Sequence, residues 1–207
     1  MVALFAQQSN VIEFPQPQGK SNEWYTPARY IEAAREVMGG IELDPASCKE
    51  ANLIVRAERF YTAKDNGLIQ VWKARSAWLN PPYGSLDVIK RGRAGTEGVA
   101  KPFIFKLIQE HKQGNIKQAI LCVTTDTDAK WFIPLWEYPI CFADHKVMFH
   151  RPGLSNQGQF FGTSFVYLGP HEQKFIDTFS KFGTIAKRVS TPRQTVTPLS
   201  LWEVKHE

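Results

Sequence analysis

A chain of 207 residues, 43% hydrophobic and 13% aromatic, is the size of one compact domain with a sheet covered on both faces, and too short for two full domains. No apolar run approaches membrane length, and Val2-Ala3-Leu4-Phe5-Ala6 passes directly into Gln7-Gln8-Ser9-Asn10, so the sequence predicts a soluble protein with no secretion signal and no membrane partner. The net charge of +5 is modest, and the three widely spaced cysteines, Cys48, Cys122 and Cys141, show no CxxC or Cys/His spacing; no zinc site, no other metal and no disulfide framework is expected, and the predicted compartment is the reducing cytoplasm.

Residues 1–21, with Gln-Pro-Gln and few large apolar side chains, read as a tail; one domain is expected over 22–190, followed by a C-terminal extension over 191–207. Thr26-Pro27 is a helix start, with Thr as N-cap and Pro in the first helical position. Ile31, Ala34, Val37 and Met38 then recur at helical spacing until Gly39-Gly40. A short strand, Ile41-Glu42-Leu43, stops at Asp44-Pro45-Ala46-Ser47. A helix over 48–57, an extended piece at Arg59-Phe60-Tyr61 and a turn at Asp65-Asn66-Gly67-Leu68 follow. The strand 76–79 feeds Asn80-Pro81-Pro82-Tyr83, and a Gly-rich basic loop occupies 90–98.

Beyond it the pattern predicts a helix over 102–112, a strand over 119–123, a helical turn over 128–135, and short strands at 140–142, 146–149 and 164–168. Strands alternating with helices and then a hairpin give an α/β fold, a mostly parallel central sheet with an antiparallel edge hairpin. Ligands of such sheets sit beyond the carboxyl ends of the strands, near the point where the strand order reverses. Asp44 and Asn80 both stand at such ends, so neighbouring strands would bring a carboxylate and the Asn80 loop onto one rim. Taken alone, Asp44 reads equally as an Asx turn or a helix cap.

The tetrapeptide Asn80-Pro81-Pro82-Tyr83 has two readings. It is a strand that stops at a Pro-Pro turn with a packed tyrosine, or it is a loop for a planar amino group. In the second, the proline rings end strand pairing and leave carbonyls free, Asn80 adds a side-chain acceptor, and Tyr83 a flat face for stacking. Between Gly84 and Lys117 seven Lys/Arg stand against three acids. That excess is a solvated surface or, beside a site, a track for phosphates.

The ordered set Trp24-Tyr25-Thr26-Pro27, Leu43-Asp44-Pro45-Ala46-Ser47, Asp65-Asn66-Gly67-Leu68 and Trp78-Leu79-Asn80-Pro81-Pro82-Tyr83 resembles the phage-type DNA N6-adenine methyltransferases. Thr125-Asp126-Thr127 with Trp131-Phe132, and Ile140-Cys141-Phe142 before Lys146-Val147-Met148-Phe149, are similar to the same family, so that the resemblance runs over 22–169. It implies a Rossmann-like enzyme using S-adenosyl-L-methionine, acting on an adenine flipped out of DNA, and a phage or prophage origin. It implies Asn80, Pro81, Pro82 and Tyr83 as the catalytic loop. Trp24, Thr26 and Pro27 would border the cofactor pocket, Asp44, Pro45, Ala46 and Ser47 would lie near the methionine end, and Asp65 would contact the adenosine part. Lys90, Arg91, Arg93 and Lys101 are the DNA-binding residues of this reading. The chain departs from the wider class in having no glycine in the loop 44–48. Because any planar NH2 group satisfies the same two acceptors, a methyltransferase acting on protein glutamine or on RNA remains an alternative, as does a DNA-binding protein without catalysis.

Overall fold

The computed structural model describes residues 24–82, 100–150 and 162–189. Its centre is a seven-stranded sheet built from β1 (Leu43–Asp44), β2 (Arg59–Phe60), β3 (Ala74–Leu79), β4 (Ile116–Thr124), β5 (Ile140–Ala143), β6 (Thr163–Leu168) and β7 (Gly183–Ala186), in the order β2-β1-β3-β4-β6-β5-β7. β2, β1, β3 and β4 are mutually parallel, β6 runs against both β4 and β5, and β7 runs against β5. Only β6 and β7 therefore oppose the common direction. The mostly parallel sheet read from the sequence is present, and its antiparallel part is a three-strand margin, because β6 inserts between β4 and β5.

Helices α1 (Ala28–Met38), α2 (Lys49–Val55), α3 (Ala100–Lys112) and α4 (Glu172–Phe179), with short 3-10 helices at Ile133–Glu137, where the helical turn read over 128–135 is placed, and at Ser180–Phe182, complete the described elements. Alternation along the strands decides which face each residue serves. Trp78, Ile120, Cys122, Phe165 and Tyr167 point to a core shared with α1 and α4, whereas Ala77, Leu79, Leu121, Val123, Val166 and Leu168 point to a second core under α3. A buried polar chain ties four elements together: Gln118 Nε2 donates to the Met38 carbonyl (2.9 Å), Tyr167 Oη donates to Gln118 Oε1 (2.9 Å), and the His171 N–H donates to Tyr167 Oη (3.0 Å). Each buried polar atom in it has a partner, as the low dielectric of a core demands.

Two expectations are corrected. Lys146–Phe149 is not a strand: Val147 and Phe149 are buried and Lys146 and Met148 exposed, so the alternation is present, but the Phe149 N–H turns back to the Val147 carbonyl (3.1 Å) and prevents a ladder. Burial against the α1 face imposes the period without strand pairing. Thr26 is not the N-cap of α1. Pro27 holds that position, without a side-chain cap, and the Thr26 hydroxyl is buried. The preceding residue is fixed in an antiparallel bridge with His150, which carries the chain into the helix one residue later. β7 and α4 answer to no element read in the sequence. Among the described residues no helix is long and apolar enough to cross a membrane, and no group of His, Cys, Asp or Glu could hold a metal ion.

Candidate active site

The strand order reverses between β1 and β3: from β1 the chain steps outward to β2, then returns past it to β3 and β4. These two neighbours are parallel, with Leu43 opposite Ala77, so both deliver their following loops to the same rim. Asp44, only 3% exposed, ends β1. Asn80, half-buried, follows β3, with Pro81 buried and Pro82 exposed. The third parallel strand, β4, brings Thr125-Asp126-Thr127 to that rim, where Thr125 Oγ1 lies 2.7 Å from Ser164 Oγ and the Thr125 N–H donates to the Gly162 carbonyl (2.9 Å).

The segment Trp24-Tyr25-Thr26 lies across this rim as a strap. Asn80 Nδ2 donates to the Trp24 carbonyl (2.9 Å). The Tyr25 N–H donates to the His150 carbonyl (2.8 Å) and the His150 N–H returns to the Tyr25 carbonyl (2.9 Å). On the far side, Cys48 Sγ donates to Tyr25 Oη (3.3 Å) and itself accepts from the Ala51 N–H (3.3 Å), capping α2. One short segment therefore joins the loop after β3 to the loop after β1.

The loop 44–48 takes its shape without a glycine. Asp44 Oδ1 accepts from the Ala46 N–H (3.2 Å), an Asx turn, and the Ser47 N–H donates to the Tyr61 carbonyl (2.8 Å). The facing turn packs closely on this loop, where a Cβ on Gly67 would stand 2.0 Å from the Pro45 carbonyl oxygen. That turn is held from behind: Trp72 Nε1 donates to the Gly67 carbonyl (2.7 Å), and Lys106 Nζ, 5.1 Å from the Trp72 ring centroid, donates to the Leu68 and Gln70 carbonyls (2.7 and 2.6 Å). Burial lowers the Lys106 pKa, opposed by Glu110.

Burial pushes the Asp44 carboxyl up from its ordinary 3.8 to about 7, with the Ala46 N–H and the nearby Ser47 side chain pulling the other way. Ser47 Oγ, in the same loop, and Thr26 Oγ1, in the strap, are buried and make no hydrogen bond of normal geometry. Unsatisfied buried donors are costly unless something occupies the space beside them, so this corner fits a polar ligand carrying a positive charge. Because the folded-state value lies above the unfolded one, the Asp44 contribution favours folding in full below about pH 4 and is lost as pH rises through about 7. Thermal melts of the ligand-free protein should therefore fall across that window. Asp44→Asn, which cannot ionise, should flatten the fall; an unchanged slope would show that Asp44 is not the group responsible.

Asp65 is placed differently from the other residues singled out. It is exposed, and its Oδ2 accepts from the Thr62 N–H (2.8 Å) and Thr62 Oγ1 (2.7 Å), which hold the carboxyl below its ordinary range. The part of its turn that reaches the loop 44–48 is Gly67. Lys101 lies on α3 with its Nζ 5.8 Å from the Phe105 ring centroid, while Tyr83, Lys90, Arg91 and Arg93 fall outside the described residues. Sequence reasoning missed Tyr25 as a tie, Cys48 as a cap, and Gly67 as a contact. Only Gly67 carried a signal, the Asp-Asn-Gly turn.

A mostly parallel α/β sheet with a buried carboxylate ending one strand and an oriented amide following its neighbour at the switch point is of the class whose ligands sit beyond the carboxyl ends of the strands. A model of the DNA N-6-adenine-methyltransferase (Dam) family matches residues 15–147, and the chain belongs to that family. A relative from Escherichia phage T1, a DNA N-6-adenine-methyltransferase, is 27% identical over 117 residues, covering 56% of this chain and 41% of the relative; the chain thus spans less than half the length of that relative. The solved hMettl16 catalytic domain, in complex with MAT2A 3'UTR hairpin 1, is 10% identical, with 87% of this chain and 80% of that one covered and a TM-score of 0.39.

Proposed function

We propose that the protein transfers a methyl group from S-adenosyl-L-methionine to the N6 amino group of adenine in DNA. The observation that carries this reading is the Asn80 amide, held by its nitrogen at the switch point beside Asp44, in a chain of this family. Asp44, Ser47 and Thr26 would hold the cofactor, whose sulfonium supplies an electrophilic methyl. The buried carboxylate suits a cationic group, and the buried Thr26 hydroxyl, with the Ser47 hydroxyl near the carboxyl, suits its polar atoms.

The exocyclic amine of adenine is a poor nucleophile because its lone pair is delocalised into the ring. Asn80 Oδ1 and the Pro81 main-chain carbonyl would accept its two hydrogens and draw the nitrogen toward a pyramidal form, directing the lone pair out of the ring plane. Both are fixed dipoles, so they stabilise the positive charge developing on nitrogen without reorganising. Asn80 is neutral and takes no proton; that proton leaves to solvent after transfer. The base must leave the duplex to reach this cleft, and Tyr83 would stack on it. Lys90, Arg91, Arg93 and Lys101 would contact phosphates, which position the duplex without reading its sequence.

Methyl-labelled cofactor offered in parallel with duplex DNA, RNA and protein tests the reading. Label in DNA, recovered as N6-methyladenine, is the expected result. Label confined to RNA or protein would move the assignment to that substrate, and DNA binding with no transfer under any condition would leave a binding protein.

A further inference from the structure

We infer that the Trp24-Tyr25 strap decides which atom of the Asn80 side chain faces the substrate, and that it makes position 80 selective for an amide over the isosteric carboxylate, with Tyr25 as a positioning residue. The inference rests on the proposed amine-binding role of Asn80 and deepens it.

An asparagine amide is nearly symmetric in shape, and nothing in a Pro-Pro turn by itself chooses between its two orientations. Here the choice is made by the Trp24 carbonyl, 2.9 Å from Nδ2. A carbonyl can only accept, so the nitrogen must face it and Oδ1 must face the other way. A flipped amide, or an ionised carboxylate, would set oxygen against oxygen in a half-buried place.

The selection works only if the Trp24 carbonyl cannot swing aside, and the strap holds it from two directions that owe nothing to the loop after β3. The paired main-chain bonds between Tyr25 and His150, 2.8 and 2.9 Å, fix the backbone next to it. The Tyr25 ring, 6% exposed, packs its body into the fold, and its hydroxyl accepts from Cys48 Sγ at the start of α2. Removing the ring would free the segment that carries the carbonyl. Asn80 would keep its identity and lose its direction.

Three variants, with binding of S-adenosylhomocysteine measured by calorimetry beside turnover, test this. Asn80→Asp should lose about 10²-fold or more in kcat while its affinity for S-adenosylhomocysteine stays within about threefold, and near neutral pH it should melt below Asn80→Ala, because the carboxylate adds a repulsion where alanine only removes a bond. Tyr25→Ala should lower kcat by about 10- to 10²-fold, Tyr25→Phe should restore most of it, and adding Tyr25→Ala to Asn80→Ala should cost nothing further, since the ring acts through the amide. An Asn80→Asp variant as active as wild type, or melting with it, overturns the inference, as do Tyr25 and Asn80 losses that multiply. The melting comparison needs no substrate, so it decides the positioning role even if wild type labels no DNA, which is the separate result that would sink the proposed function.

Discussion

Asn80→Ala is expected to bind S-adenosylhomocysteine with near wild-type affinity while losing about 10²- to 10³-fold in methyl transfer, the loss typical of removing one fixed dipole from a reacting centre. The separation follows from where the side chain stands. Its nitrogen is bonded to the Trp24 carbonyl, and its oxygen points away from the strap, whereas the groups suited to the cofactor, Asp44 with the Thr26 and Ser47 hydroxyls, belong to other segments. Truncation removes the acceptor proposed for the amine and leaves the loop after β1 intact. Single-turnover rates beside calorimetric affinities measure the two effects apart. Equal rates for variant and wild type would remove Asn80 from the reaction, and a loss confined to cofactor affinity would move it to the cofactor side.

Gly67→Ala should be as damaging by a different route. The added methyl would sit 2.0 Å from the Pro45 carbonyl oxygen, 3.1 Å from its carbon and 3.3 Å from Phe103 Cε1. Two of these are backbone atoms of the loop proposed to hold the cofactor, and no rotamer change relieves a clash with backbone. The turn cannot retreat either, because Trp72 and Lys106 hold its carbonyls from behind. The loop 44–48 must yield, with a stability loss of about 1–3 kcal/mol and cofactor affinity weakened by about tenfold or more. A thermal melt and a titration with S-adenosylhomocysteine check both numbers. A variant that melts and binds like wild type would mean that the two loops separate freely.

Much of this was legible in the residues. Asp-Pro-Ala-Ser after one apolar run and Asn-Pro-Pro-Tyr after another mark two strand ends, because proline stops a ladder at any sheet position where the N–H is needed. The two cores arise because β3, β4 and β6 are buried almost throughout, and successive side chains along each strand serve opposite faces. Where the reading failed, a tertiary contact replaced a local rule. Val147 and Phe149 alternate like a strand yet join no ladder among the described residues, since burial alone imposes that period. Thr26 has the chemistry of a cap, but the bridge between Tyr25 and His150 sets the path into α1.

What the sequence determined by itself is which groups stand at the strand ends: an amide and a Pro-Pro turn after one strand, a carboxylate after another, and the α/β alternation that sends such loops to one end of a sheet. These are local properties, fixed by proline geometry and by residue type. Tertiary structure decided the adjacency and the direction. It put β1 beside β3, packed the Gly67 turn against the Pro45 carbonyl, and brought the Trp24 carbonyl from 56 positions back along the chain to Asn80 Nδ2. A side chain's identity is written at its own position, but the direction of its dipole depends on the group packed against it, and that group comes from elsewhere in the chain.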